Sequence, residues 1–271
     1  MVQSINNSSL SLGILQGLNK AQGAQQTALE RIGSGKQINS AADNAAGLAI
    51  IERFAAQIDG AGQAIRNTSD GISFSQVAEA SLSSISDDLQ RIRELSIQSA
   101  NGSLSDSDRG NLQSEVGQLQ DEISRRLEQS NFNGVDIFST DAEISFQVGA
   151  NANETIELST ADLSAQFDSI AAIDISSQTG AQDALSAIDS TLQTLSDQRV
   201  EFGAVANRFQ STVDNLQNNR INTEDARSRI ADADIAREIS NSIKAGIQQQ
   251  SGIAAQAQAN SNAELVLRLL G

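Results

Sequence analysis

Apolar residues recur along this chain at helical spacing, interrupted once by alternation. Ile14, Leu18, Ala21, Ala24, Ala28 and Ile32 fall at steps of three and four, and Gly33-Ser34-Gly35 supplies a stop. The stripe is thin and built largely of alanine. Asp43 is expected to cap a second, much longer helix whose apolar face runs Leu48, Ile51, Ala55, Ile58, Ile65 and Ile72, then Leu82, Ile85, Leu89, Ile92 and Leu95, to an end at Asn101-Gly102. Gly60, Gly62 and Gly71 weaken its middle without the force of a proline. Ser105 opens a third helix with Asp108 as its capping-box partner, and Leu112, Val116, Leu119, Ile123 and Leu127 form its core face.

Asn131-Phe132-Asn133-Gly134 reads as a turn. The period then changes to two: Ile144, Phe146 and Val148 alternate with polar residues, as do Ile156 and Leu158, which predicts a β-hairpin near 143–159 closed by a loop from Gly149 to Glu154. From there to about Gly180 the pattern is irregular. Beyond Thr179, Leu185, Ile188, Leu192, Leu195, Arg199, Phe202, Ala206, Phe209, Val213 and Leu216 alternate steps of three and four, the signature of a heptad seam with Arg199 as its one polar knob. The last helix carries Ile235, Ile239, Ile243 and Ile247 on one side. It dilutes through Ala254, Ala257 and glutamines before closing with Leu265, Leu267, Leu269 and Leu270. Both ends of the chain are amphipathic yet poor in large apolar residues, and a helix of that kind is marginal in water until a partner covers its face. The termini are therefore expected to be weakly folded in a monomer and ordered by neighbours.

Composition narrows the function. Pro is absent, which suits long uninterrupted helices, since an interior proline removes a backbone donor and clashes with the preceding turn. Cys and His are both absent, so zinc fingers, disulfides and Ser-His or Cys-His nucleophiles are excluded. With 18 Lys+Arg against 34 Asp+Glu the net charge is −16, which repels nucleic acid and anionic membranes. No stretch approaches the ~18 apolar residues of a membrane span, so no membrane insertion is expected. Met1 to Asn7 lacks the charge and apolar core of a cleaved secretory signal. An enzyme would have to rest on carboxylates such as Asp87 with Asp88, or Asp232 with Asp234 near Arg227 and Arg229; solvated helix charges explain these more simply. The same acids lack the order of ligands of an EF-hand. No cofactor or metal is expected.

Several segments resemble the bacterial flagellins. Leu29 to Ile50, reading LERIGSGKQINSAADNAAGLAI, is similar to that family's N-terminal signature; Asn67 to Ser73, Leu89 to Asn101 and Phe132-Asn133-Gly134 follow in its order. Phe202 to Phe209, Ala226 to Asp234 and Ala257 to Asn260 resemble its C-terminal signature. The resemblance covers nearly the whole chain. It implies a mainly α fold in which 1–43 with 228–271 pair as an inner, discontinuous terminal coiled coil, and 44–227 form an outer helical bundle with the hairpin. The candidate insertion, about Thr140 to Thr179, is shorter than the ~50 residues a domain needs, so the chain resembles a minimal flagellin without large variable surface domains.

The function implied is that of a secreted, non-enzymatic subunit that polymerises into the flagellar filament for motility. Its expected partners are further copies of itself, the flagellar export chaperone, the filament cap and the hook-junction proteins, with export through the flagellar apparatus and no cleaved leader. The resemblance also implies a surface seen by the host Toll-like flagellin receptor, at Arg91, Glu94, Leu95 and Glu115. Those residues have an ordinary reading too, with Leu95 in the core and Arg91–Glu94 as an exposed helix pair. A hook–filament junction protein is the nearest rival among structural proteins; a coiled-coil signalling or adhesion module predicts instead a parallel oligomer of fixed size.

Overall fold

The computed structural model describes the backbone from Val2 to Leu270, and the side chains of Ser9 and of residues 11 to 262. The closing leucines Leu265, Leu267, Leu269 and Leu270 lie outside those side chains. Among the described residues six helices and four short strands follow in the order α1 (Val2–Ser34), α2 (Ala41–Ser99), α3 (Asp106–Gln129), β1 (Asn131–Phe132), β2 (Val135–Asp136), β3 (Ala142–Gln147), β4 (Thr155–Thr160), α4 (Ser164–Ala171), α5 (Gln178–Ala231) and α6 (Ile235–Leu270). The chain is 78% helical. It divides into two compact units, Met1–Gln57 with Asn222–Gly271, and Ile58–Ile221.

Local chemistry sets the helix ends. Gly35 terminates α1 at φ +70°, a left-handed conformation that costs glycine nothing, and its N–H donates to the Arg31 carbonyl at 2.9 Å. At the start of α2 the cap is not Asp43 but Asn44, whose backbone is extended (φ −167°, ψ 97°) and whose Oδ1 accepts from Gly47 N–H at 2.9 Å. Asp43 faces the other way. Its Oδ2 accepts from the N–H groups of Asn39 (3.1 Å) and Ser40 (3.0 Å), which hold its carboxyl below the usual carboxylate range. The capping box of α3 is formed as the spacing predicts, with Ser105 and Asp108 each bonded to the other's backbone N–H.

In the unit Ile58–Ile221, α2 runs antiparallel to α3 and α5. Arg91 reaches Glu115 and Arg126 reaches Asp88 on one side; Arg93–Asp189 and Arg199–Glu79 lie along the other. The core contributed by the second half of α2 is Phe74, Ala78, Leu82, Ile85, Leu89, Ile92 and Leu95, much as its spacing predicts. Nearer its start the buried stripe is one of small residues, Ala61, Ala64, Thr68 and Gly71, while Ile65 and Ile72 are only half buried. The face is offset from the large aliphatics because α5 approaches closely there: a Cβ on Gly71 would lie 2.7 Å from the Phe209 ring. Phe209 stacks edge-on with Phe146 (5.4 Å), and Phe74 does so with Phe132 (5.6 Å) and Phe146 (6.2 Å).

The heptad of α5 buries Ile188, Leu195, Phe202, Phe209 and Val213, with Ala181, Ala184, Thr191 and Val205 widening it. Arg199 sits half buried on this seam and reaches Glu79 at 3.9 Å. The hairpin pairs Ile144 with Leu158 and Phe146 with Ile156, burying Ile156 and Leu158. Asn133 and Gly134, at φ 51° and 80°, make the smaller β1–β2 turn. The irregular stretch before Gly180 contains α4, an unpredicted helix whose Phe167 and Ile170 are buried. It is fastened by α3: Gln120 Nε2 donates to the carbonyls of Ile170 (2.7 Å) and Ile173 (3.0 Å), and Gln113 Oε1 accepts from Ile175 N–H (2.7 Å).

Candidate assembly surface

Helices α1 and α6 pair antiparallel along a heptad seam. On α1 it comprises Ser11, Ile14, Leu18, Ala21, Gln25, Ala28 and Ile32; on α6 it comprises Glu238, Ser242, Ala245, Gln249, Gly252, Gln256 and Ala259. Of these, Ala21, Ala28, Ala245 and Ala259 are buried. Polar links set the register. Gln256 Nε2 donates to Ser11 Oγ at 2.6 Å at one end, and Arg31 Nη1 donates to Glu238 Oε1 at 3.3 Å at the other. Glu238 is only 7% exposed, and Arg31 also lies 4.0 Å from Asp43. Beyond α1 and α6 the two chain segments stay tied, with Gln37 N–H donating to the Ala231 carbonyl (2.6 Å) and Ala233 N–H to the Gly35 carbonyl (2.9 Å). A seam of alanine, glycine and glutamine buries little apolar area, so this pair holds itself together weakly.

The larger aliphatics of the same helices point outward. The row Ile235, Ile239, Ile243 and Ile247 was expected to be the apolar face of α6; in the structure it is not the seam but an exposed ridge, with Ile239 at 45% and Ile243 and Ile247 each at 59% exposure. Spacing by four places these side chains on one ridge of a helix surface, the geometry that fits the groove of another helix. Ile253 on α6 and Leu12, Leu15 and Leu29 on α1 are exposed as well. Covering such side chains is worth ~1.5–3 kcal/mol each when complete, so the face favours association.

Arg91, Glu94 and Glu115 come together on the unit Ile58–Ile221. Arg91 Nη1 donates to Glu94 Oε2 at 3.0 Å, and its Nη2 and Nε to Glu115 Oε1 at 2.8 and 3.0 Å. Glu115 and then Glu94 raise the guanidinium pKa further, and all three side chains remain exposed. Leu95 does not join them. At 1% exposure it lies within the core, because its place on α2 faces the bundle axis one step round the helix from Glu94. Arg109, which sequence reasoning missed, is buried and closes the C-terminal end of α2 through the carbonyls of Ser99 (2.7 Å) and Asn101 (3.1 Å).

The carboxylates that an enzyme would need have structural engagements. Asp88 lies against Arg126 at 3.2 Å, and Asp234 Oδ1 caps α6 through Arg237 N–H at 3.1 Å. Asp232 accepts from Ser228 Oγ. Among the described residues no three His, Cys, Asp or Glu are grouped to hold a metal ion, and no helix is long and apolar enough to cross a membrane.

A helical chain whose terminal helices pair through a narrow seam and present their aliphatics outward belongs to the class of self-assembling structural subunits. Comparison with known proteins specifies the class. Residues 5–143 match the bacterial flagellin N-terminal helical region and residues 185–270 its C-terminal helical region. The chain is 43% identical over 257 residues to a flagellin of Halalkalibacterium halodurans, covering 94% of each, and 37% identical over 286 residues to the flagellar filament 30.7 kDa core protein of Treponema maltophilum, covering 100% of each. The crystal structure of Bacillus cereus flagellin superposes with a TM-score of 0.52 at 29% identity, over 56% of this chain and 88% of that one. The chain belongs to the bacterial flagellin family. It is a structural subunit of the extracellular flagellar filament, self-associating and not an enzyme.

Proposed function

We propose that the filament contacts of this subunit are carried by the terminal helices, with 1–43 and 228–271 forming the inner part of the polymer and 44–227 the outer part. The observation that supports this most is the isoleucine ridge of α6, exposed on a unit whose own seam is too small to bury it. One face of a copy then meets a different face of the next, so the contacts do not close and a helical polymer grows. Seeded growth followed by light scattering and electron microscopy tests the reading. Subunits should extend seeds into long filaments; a closed oligomer of fixed size would refute it.

The remaining partners follow from the same reading. Delivery runs through the flagellar export apparatus, assisted by an export chaperone, and the filament cap and hook-junction proteins are its further partners. A second surface, Arg91 with Glu94 and Glu115, is proposed as the contact for the host Toll-like flagellin receptor. Support for it is the fixed, exposed guanidinium held by two carboxylates from α2 and α3. Leu95, buried in the core, is left out of this contact. In a receptor-reporter assay Arg91→Ala should lower the response at least ~10-fold, the scale expected when a charged hydrogen-bonding anchor is truncated. An unchanged response would remove this role.

A further inference from the structure

Two dipeptides of this chain, Asn101-Gly102 and Asn133-Gly134, join an asparagine to a glycine. In such a pair the glycine backbone nitrogen can attack the carboxamide carbon of the asparagine side chain, because no Cβ shields it. All four residues are exposed, so exposure alone does not distinguish the two pairs. Their hydrogen bonds do.

Asn101 is held at both its side chain and its backbone. Its Oδ1 accepts from Ser103 N–H at 3.1 Å and from Ser103 Oγ at 3.0 Å, and its carbonyl accepts from Arg109 Nη2 at 3.1 Å and Leu104 N–H at 3.3 Å. To bring its carboxamide carbon onto the Gly102 nitrogen it must release both bonds to Ser103. Asn133 differs in each respect. Its side chain makes no hydrogen bond among the described residues. The register pairs Asn131 with Asp136 and Phe132 with Val135, which leaves Asn133 and Gly134 outside the ladder as the turn itself. A Cβ on Gly134 would meet nothing within 4 Å, so solvent reaches the turn from that side, whereas one on Gly102 would lie 3.8 Å from Gln178 Nε2. A hairpin with so few paired residues also opens at little cost.

We propose that Asn133 is a site of spontaneous deamidation, where the subunit converts a neutral turn residue into an acidic one as it ages, while the hydrogen bonds of Asn101 protect the other pair. The Gly134 nitrogen gives its proton to solvent base and bonds to Asn133 Cγ; the Cγ–Nδ2 bond breaks, and the nitrogen leaves as ammonia with a proton from solvent. Water then opens the cyclic imide. Cleavage between the ring nitrogen and Cγ restores the chain with aspartate at 133. Cleavage between the ring nitrogen and the main-chain carbonyl carbon leaves isoaspartate, with the chain running through Cβ and Cγ. The sum is asparagine and water in, aspartate or isoaspartate and ammonia out.

Either product places a new carboxylate on the exposed turn, close in sequence to Asp136. Isoaspartate does more, since it adds a backbone atom to a turn whose geometry is fixed by its length. Phe132 and Val135 close that turn, and the Phe132 ring stacks on Phe74 at 5.6 Å. The isoaspartyl form therefore unpairs β1 from β2 and loosens Phe132 at the edge of the core.

The test incubates the full-length soluble subunit at neutral and mildly alkaline pH and follows the peptides containing Asn101 and Asn133 by mass spectrometry, with synthetic aspartyl and isoaspartyl peptides as standards. In the folded chain Asn133 should convert at least ~10-fold faster than Asn101, the scale set by the hydrogen bonds that Asn101 must release. In guanidinium chloride the two should convert within ~3-fold of each other, because those bonds are gone. Isoaspartate should accompany aspartate at 133, whereas direct hydrolysis of the carboxamide yields aspartate alone. Asn133→Gly, which suits the left-handed turn at φ 51°, should abolish the change with the circular dichroism spectrum intact. Amide exchange at Val135 should be faster in aged wild type than in Asn133→Gly of the same age. Conversion of Asn101 as fast as Asn133 in the folded chain, a difference that persists in denaturant, or aspartate without isoaspartate would each overturn the assignment. Unchanged exchange at Val135 in a sample rich in isoaspartate would overturn the loosening of the hairpin.

Discussion

Ile243→Asp combined with Ile247→Asp should abolish seeded elongation while leaving the monomer as stable as before. Both side chains are 59% exposed, so the substitution removes no packing within the subunit, and surface changes away from such packing rarely shift stability by more than ~0.5 kcal/mol. In the polymer the same positions lose the burial of two isoleucines and bring in two carboxylates that must be desolvated. At ~2 kcal/mol for each isoleucine the loss is ~4 kcal/mol, or roughly a thousandfold in critical concentration before the charge is counted. Growth rates and a critical concentration matching the wild type would show that the ridge of α6 takes no part in assembly. A lowered Tm would point to a role within the subunit instead.

Deleting Ala254 to Gly271 should leave a soluble, largely helical monomer that does not polymerise. The deletion removes Ala259 from the seam and the Gln256–Ser11 hydrogen bond, so the first turns of α1 lose their partner on α6. The unit Ile58–Ile221 keeps its own core, from Phe74 and Leu82 to Phe202 and Phe209, and with it the cooperative unfolding transition. Circular dichroism should therefore show a smaller helical signal with the main melting transition in place, and electron microscopy should show no filaments. Normal filaments from the truncated chain would contradict the assignment of assembly to the terminal helices.

The parts of the fold legible in the sequence are those where large apolar residues coincide with the buried face. This holds for α3, for α5 from Ile188 to Val213, for α2 from Leu82 to Leu95, and for the β3–β4 hairpin, whose alternation at Ile144, Phe146, Ile156 and Leu158 is unambiguous. Where helices approach closely, small residues take the buried positions and the rule that seeks the largest side chains picks the wrong face. Ala61, Ala64 and Gly71 are buried here, while the larger Ile65 and Ile72 that the spacing favours are only half buried. On α6 the consequence was greater, since Ala245 and Ala259 form the seam and the isoleucines lie outside it.

Other features depend on contacts distant in sequence. At eight residues, α4 is too short to show a period, and it is held by Gln120 of α3, while Gln113 holds the chain just beyond it at Ile175. Arg109 carries no local mark of burial, because its partners are carbonyls at the end of α2. Asp43 and Asn44 are both good capping residues, and only the backbone bend at Asn44 distinguishes them. Of the proposed receptor patch, the Arg91–Glu94 spacing was visible in the sequence. Its junction with Glu115 needed the antiparallel packing of α2 and α3.

Amide hydrogen exchange measured on free subunits and on seeded polymer, residue by residue, puts the central claim to its most direct trial. In the free subunit the amides of α1 and α6 should exchange far faster than those of the core helices between Phe74 and Phe209, since a seam of alanine and glutamine opens easily. On polymerisation α1 and α6 should gain protection of at least ~100-fold, with little change in that core. Equal and strong protection of α1 and α6 in both states would mean that the terminal helices are complete on their own, and would contradict the account.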